Sequence, residues 1–221
     1  MKVPAQERGW RRMIAIIDYG AGNLQSVRKA LDFIGCETRV TDRPEDLETA
    51  EAAVLPGVGA FGDAMASLES RGLVDPVRAF IRQGKPFLGI CLGLQLLFDS
   101  SEESPGVKGL GVLPGKILRI PDGEGLKVPH IGWNSLSFPN GRGRLFAGLS
   151  QEPYVYFVHS YYLKAEDPQI VAATTEYGVT IHASVEKGNL FACQFHPEKS
   201  GAEGLQILQN FAALAAGEKG E

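Results

Sequence analysis

Apolar residues fall along this chain in two rhythms. In the first half, short apolar runs predict strands at Met13 to Asp18, Glu37 to Thr41, Ala52 to Leu55 and Phe87 to Ile90. The last of these follows Gly84 and Pro86 and reads as a strand buried on both faces. Between the runs the spacing turns helical. Leu24, Val27, Leu31 and Ile34 share one face, and Gly35 ends that helix. Further helices are expected from about Asp63 and over Asp75 to Gln83, the latter with Pro76 in its first turn and Gly84 after it. Strands alternating with helices predict an α/β fold with a parallel sheet covered on both faces. Ligands of such sheets sit at the carboxyl ends of strands, where Asp18, Pro56 and Cys91 lie.

From Gly109 onward the rhythm shortens. Lys116 to Ile120, Val128 to Ile131, Ser135 to Phe138, Tyr154 to Leu163, Ile170 to Thr175, Thr180 to Glu186 and Leu190 to Phe195 are strand-like and separated by turn signals. They are expected to form antiparallel hairpins that extend the same sheet. A last helix is expected over about Ala202 to Ala216. With no linker, repeat or low-complexity segment, residues 13–217 read as one domain, preceded by a charged, flexible extension over residues 1–12.

Composition narrows the class. The chain has 221 residues, 44% of them apolar and 22% charged, as in ordinary globular proteins. Its net charge of −4 carries no nucleic-acid footprint. No apolar run approaches membrane-span length, and the charged N-terminus has no apolar segment of the secretory kind. Three cysteines without paired spacing point to a reducing, cytoplasmic setting rather than a disulfide framework.

The candidate chemistry centres on Lys85 to Phe98, KPFLGICLGLQLLF. Gly89-Ile90-Cys91-Leu92-Gly93 has the form of a nucleophile elbow, a strand-to-helix turn that holds one side chain in a strained backbone conformation. A Cβ two residues to either side would collide in such a turn. The helix expected over Leu92 to Phe98 would aim its N-terminal amides at Cys91 and favour a thiolate. The Leu92 amide is placed to donate to an oxyanion. A thiol nucleophile needs a base and a group that orients the base. His196 and Glu198, in HPEKS, are two apart, and an extended segment would face both the same way. His130 and His159 are alternative bases without a neighbouring carboxylate, and His182 reads as a solvent-facing strand residue. The histidines and cysteines lack metal-ligand spacing. The glycines of Pro56-Gly57-Val58-Gly59 would let a second amide turn toward the oxyanion. Cys36 and Cys193 are expected to react slowly.

GICLGLQ, PGVGAF and HPEKS together resemble the class I glutamine amidotransferase family, in the family's order and over almost all of Met13 to Gly217. IIDYGAGN, SPGVKGLG, PHIGWN and YFVHSYY are similar to the branch that serves histidine biosynthesis. The resemblance implies a flavodoxin-like α/β fold and a Cys91-His196-Glu198 triad that hydrolyses L-glutamine through a thioester, without a cofactor. It implies an oxyanion hole from the amides of Leu92 and Val58. Gly57, Gly59, Gln95, His159, Ser160 and Tyr161 would hold the glutamine. It further implies a heterodimer with a (β/α)8-barrel cyclase subunit that receives ammonia through a shielded passage. Asn23, His130, Trp133, Tyr156 and Lys199 match positions near that interface. Activity is then expected to be low alone and raised by the liganded partner, with the Val58 peptide as the switch. Two other readings stay open: another class I amidotransferase subunit or a stand-alone amidase, and a binding module of the same fold without catalysis.

Overall fold

A computed structural model describes residues 10–217. Its strands are β1 (Trp10–Ile17), β2 (Cys36–Thr41), β3 (Ala52–Gly57), β4 (Phe87–Cys91), β5 (Ser100–Ser101), β6 (Gly115–Arg119), β7 (His130–Ser135), β8 (Tyr154–His159), β9 (Tyr161–Ala165), β10 (Val171–Glu176), β11 (Thr180–Lys187) and β12 (Leu190–Cys193). Its helices are α1 (Leu24–Phe33), α2 (Pro44–Thr49), α3 (Phe61–Ser70), α4 (Val74–Arg82), α5 (Leu92–Gln95) and α6 (Gly201–Ala215).

The main sheet has seven strands in the order β10-β11-β12-β4-β3-β1-β2. The run from β12 to β2 is parallel, and β10 and β11 add antiparallel strands at one edge. Successive strand residues face opposite sides of a pleated sheet. Accordingly Ala15, Ile17, Ala53 and Leu55 join one core with Met65, Leu68 and Phe80 of α3 and α4. Ile14, Ile16, Val54, Leu88 and Ile90 join the other with Leu31 of α1 and Ile207 and Phe211 of α6. β3 and β4 are buried throughout, which is why they read as unbroken apolar runs. Each fully buried large apolar side chain contributes about 1.5–3 kcal/mol, so the sheet centre is a rigid base for whatever its strand ends carry.

Several expectations are corrected. β1 starts at Trp10, inside the stretch read as extension; residues 1–9 lie outside the described ones. Short α2, with Pro44 in its first turn, is additional. The elbow helix is one turn, Leu92–Gln95, and does not reach Phe98. Its continuation loses the carbonyls it would need. Leu96, Leu97 and Phe98 accept instead from the amides of Leu110, Val112, Leu113 and Gly111, at 2.7–3.3 Å. The two strands expected around PHIGWN are one, β7. The long strand expected over Tyr154 to Leu163 breaks at Ser160, where the chain changes sheets: β8 pairs with β7, and β9 pairs with β6. Of the strands after Gly109, only β10, β11 and β12 therefore join the main sheet, β12 running parallel to β4. The rest forms a three-stranded sheet, β5-β6-β9, and a two-stranded one, β7-β8. Among the described residues no helix is long and apolar enough to cross a membrane.

Candidate active site

Three neighbouring parallel strands end side by side. Gly57 of β3 lies opposite Cys91 of β4, and Cys193 of β12 lies opposite Ile90. The residues just past β12 therefore reach Cys91 although they are distant in sequence. Cys91 has φ 55° and ψ −109°, the one non-glycine residue with positive φ among those described. Such a conformation costs on the order of 1–3 kcal/mol and persists only where the surroundings impose it. Here they do. A Cβ on Gly93 would lie 1.8 Å from the Leu55 carbonyl oxygen, and one on Gly89 would lie 2.8 Å from that of Gly93. The elbow is thus wedged between β3 and its own first turn, and both glycines are steric requirements.

His196 and Glu198 meet through a 3-10 turn at Pro197–Lys199 rather than an extended segment. His196 Nδ1–H donates to Glu198 Oε1 at 2.8 Å, with both side chains almost fully buried. That bond assigns the proton of the neutral ring to Nδ1 and leaves Nε2 free. Nε2 is buried and completes no hydrogen bond, and His196 and Cys91 line the same cavity. Burial alone would lower the imidazole. The neighbouring Cys91 and Glu198 outweigh burial and hold it up at about 9. The imidazolium is therefore the form of His196 favoured near neutral pH.

The other two histidines near the site are neutral. His159 Nδ1 lies 2.9 Å from the Tyr161 carbonyl oxygen, which can only accept, so Nδ1 carries the proton. His159 Nε2 then accepts from His130 Nδ1–H at 3.1 Å. Burial, the main cause in each, lowers His159 to about 3 and His130 to about 4. Both rings are therefore neutral and weakly basic at neutral pH. His182 is half-buried, not solvent-facing, and accepts from the Ala165 amide at 3.1 Å.

A cavity of about 300 Å³ opens in front of Cys91. Val58, Gly59, Leu92, Gln95, His159, Ser160 and Tyr161 all line it, together with His196. Gly57 lies behind this wall: a Cβ there would meet the Tyr19 hydroxyl at 2.3 Å and Leu92 Cβ at 2.8 Å. Gln95 Nε2 donates to the Tyr161 carbonyl at 3.1 Å and to Gln194 Oε1 at 3.0 Å. Both of its N–H groups are thereby occupied. The cavity suits a small polar molecule with a carbonyl to present to the thiol.

The residues expected at a partner interface separate into two groups. Trp133 is 54% exposed and lies edge-on to Tyr156, with ring centroids 6.1 Å apart. Lys199 is exposed, and Ile131, 59% exposed, lies two residues before Trp133 on β7. Asn23 is half-buried and caps α1, accepting from the Ser26 amide at 3.3 Å. His130 departs from the expectation. It is 3% exposed, stacked between Phe157 and Tyr177, and offers no surface to a partner.

The family description "Glutamine amidotransferase class-I" matches residues 15–215. The chain belongs to the class-I glutamine amidotransferase family. This amidotransferase is 53% identical over 203 residues to imidazole glycerol phosphate synthase subunit HisH of Moorella thermoacetica, covering 92% of the chain and 95% of that relative. It is 54% identical over 202 residues to the subunit of the same name from Methanothermobacter thermautotrophicus, covering 91% of the chain and 98% of the relative. Among solved structures, a glutamine amidotransferase superposes with a TM-score of 0.71 at 22% identity, covering 92% of this chain and 98% of that one. The structure of PurLQS from Thermotoga maritima gives the same TM-score and identity, covering 90% and 97%. These two likenesses establish the fold.

Two polar residues of the amidotransferase site have no counterpart among the sequence-derived candidates. Glu103 lines the cavity and accepts from the Phe61 amide, at the start of α3, at 2.8 Å. Gln194 is fully buried and donates to Cys91 Sγ at 3.7 Å. Glu103 sits in the loop SEESPGV, and nothing local distinguishes it from its exposed neighbour Glu102. Gln194 stands in the motif QFHPEKS, so its proximity to His196 was a signal, but its direction was not.

Proposed function

We propose that this chain is the glutaminase subunit of an imidazole glycerol phosphate synthase, with Cys91 as nucleophile, His196 as its acid and base, and Glu198 as the orienting carboxylate. The supporting observation is the strained Cys91 at the cavity mouth, beside the buried His196–Glu198 pair. Identity above 50% over nine-tenths of the chain to subunits of such synthases supplies the reaction.

In this reading the thiolate attacks the side-chain amide carbon of L-glutamine. The carbonyl oxygen becomes an oxyanion, stabilised by the backbone amides of Leu92 and Val58. Imidazolium gives its proton to the nitrogen, ammonia departs, and a γ-glutamyl thioester remains on Cys91. His196, now neutral, takes a proton from water, whose oxygen attacks the thioester and releases glutamate. Gly59, Ser160, Tyr161 and the remaining oxygen of Gln95 hold the amino-acid end. Glu103 supplies the negative charge that an α-ammonium group requires. Gly57 must lack a side chain to let the oxyanion strand pass Tyr19 and Leu92.

Ammonia that reached water would become ammonium and lose its nucleophilicity, so the product passes directly to a partner. That partner is a (β/α)8-barrel cyclase, which completes imidazole glycerol phosphate and releases AICAR in histidine biosynthesis. Exposed Ile131 and Trp133, with Tyr156 and Lys199 nearby, form the docking surface. Val58 is 42% exposed on the cavity rim and precedes Gly59, whose φ is +100°. This segment can turn its peptide, which is the proposed switch between idle and active states.

The test uses the chain alone and in complex with the cyclase and its nucleotide ligand. Glutamine hydrolysis is expected to be slow in the chain alone and to rise when the liganded partner binds. Cys91→Ala is expected to abolish glutamine-dependent synthesis and to leave ammonia-dependent synthesis in the complex. Fast partner-independent hydrolysis would instead mark a stand-alone amidase.

A further inference from the structure

The mechanism above gives Gln194 no task, yet its carboxamide is fully buried against the nucleophile. A buried carboxamide is costly unless its hydrogen bonds are made. The backbone of Gln194 is held to β11, its amide donating to the Ala183 carbonyl at 2.8 Å. Its side chain is held by a chain of donors whose direction the structure determines. The Tyr161 carbonyl can only accept, so the group of Gln95 facing it at 3.1 Å is the amide nitrogen. The same nitrogen also reaches Gln194 at 3.0 Å, so Gln194 must turn its oxygen there. Its nitrogen then faces the Cys91 sulfur at 3.7 Å. A flipped Gln194 would put two donors against each other and an oxygen against the sulfur.

We infer that Gln194 is a positioning residue that holds the Cys91 sulfur in its attacking, negatively charged state, and that Gln95 and the Tyr161 carbonyl lock Gln194 in the donating orientation. The inference rests on the assignment of Cys91 as nucleophile. The chemistry suits the task. A carboxamide N–H stabilises a thiolate but cannot take or give up a proton, so it does not compete with His196. It also reaches the sulfur from β12's end of the site, through a contact separate from the imidazole. When the thioester forms and the sulfur loses its charge, this bond weakens. Its stabilisation therefore applies to the resting nucleophile and to the leaving thiolate of the second half-reaction.

The experiment follows iodoacetamide labelling of Cys91 in the full chain by peptide mass mapping, across pH, alongside glutamine hydrolysis. Gln194→Met removes the donor and keeps a similar volume. Its labelling at neutral pH is expected to slow about 10-fold, the size expected for one hydrogen bond to a charged group. The labelling profile should move to higher pH, and kcat should fall with KM nearly unchanged. Gln194→Glu places a carboxylate against the sulfur and is expected to slow labelling further, by about 100-fold. Cys36 and Cys193 remaining unlabelled reports that each variant is folded. If Gln194→Met does not fold, Gln95→Met, which releases the lock, should show the same displaced profile. A wild-type profile in the folded variants overturns the role of Gln194. Glutamine hydrolysis that survives in Cys91→Ala overturns the nucleophile assignment instead, so the two failures are told apart.

Discussion

Gly204 offers a sharp test, because it does not line the cavity and yet supports His196, the proposed base. It sits in the first turn of α6, against the turn that carries His196 and Glu198. A Cβ there would fall 1.9 Å from the Pro197 carbonyl oxygen and 2.8 Å from Ser200 Cβ. Ser200 in turn secures His196: its hydroxyl donates to the His196 carbonyl at 2.7 Å and accepts from the Tyr156 amide at 3.0 Å. Real Cβ contacts essentially never fall under 3.0 Å, so Gly204→Ala must separate helix and turn by at least about 1.1 Å. A misplacement of about 1 Å in a catalytic group costs on the order of 100-fold, or about 2.7 kcal/mol of barrier. Overpacking adds about 1–3 kcal/mol of destabilisation. Glutamine hydrolysis by the folded variant in the activated complex, measured well below its melting point, should show kcat/KM reduced about 100-fold. A variant with wild-type kcat/KM would refute the reasoning, since it would show that α6 does not position His196.

Three further outcomes follow from the same geometry. Glu198→Gln keeps an acceptor for Nδ1–H but loses the charge, and should lower kcat about 100-fold; His196→Ala loses the base and should lower it more than about 1000-fold. Steady-state kinetics that reverse this order would reassign the two roles. Burial pushes the Cys36 thiol up to about 12, with Asp32 adding to it, and burial raises Cys193 well above the ordinary range; in the native chain at neutral pH an alkylating glutamine analogue should therefore mark Cys91 alone. His196 is held above the ordinary 6.5, at about 9. Its contribution is complete below about pH 6.5 and is lost as pH rises through about 9, a change on the order of 3 kcal/mol. Denaturant titrations at about pH 6 and about pH 10 should show the wild type losing this much relative to His196→Ala.

The parallel half of the fold was legible because β3 and β4 are buried on both faces and leave unbroken apolar runs. Helices α1 and α4 announced themselves through one-sided spacing and glycine stops, whereas the single short turn-and-a-half of α2 left no such period. The second half was harder, because its strands divide among three sheets and the change of partner at Ser160 is marked by no glycine or proline. The elbow helix misled for a different reason. Leu94, Leu96, Leu97 and Phe98 have helical spacing, but the segment from Leu110 to Leu113 takes the carbonyls that a helix would use. In the site, Cys91 with its glycines and the adjacent His196 and Glu198 carried local patterns. His130 did not reveal its burial, since a histidine in a short strand reads alike on either face. Glu103 and Gln194 gain their places only from contacts across the fold, with Phe61, Gln95 and Cys91.

The proposed reaction depends on a covalent bond to one sulfur. Rapid acid quench during glutamine turnover in the activated complex, followed by peptide mass mapping, observes that bond directly. The expected result is one γ-glutamyl group on the peptide carrying Cys91, labile to base as a thioester. Steady turnover with the adduct on another residue, or with none at any quench time, would contradict it.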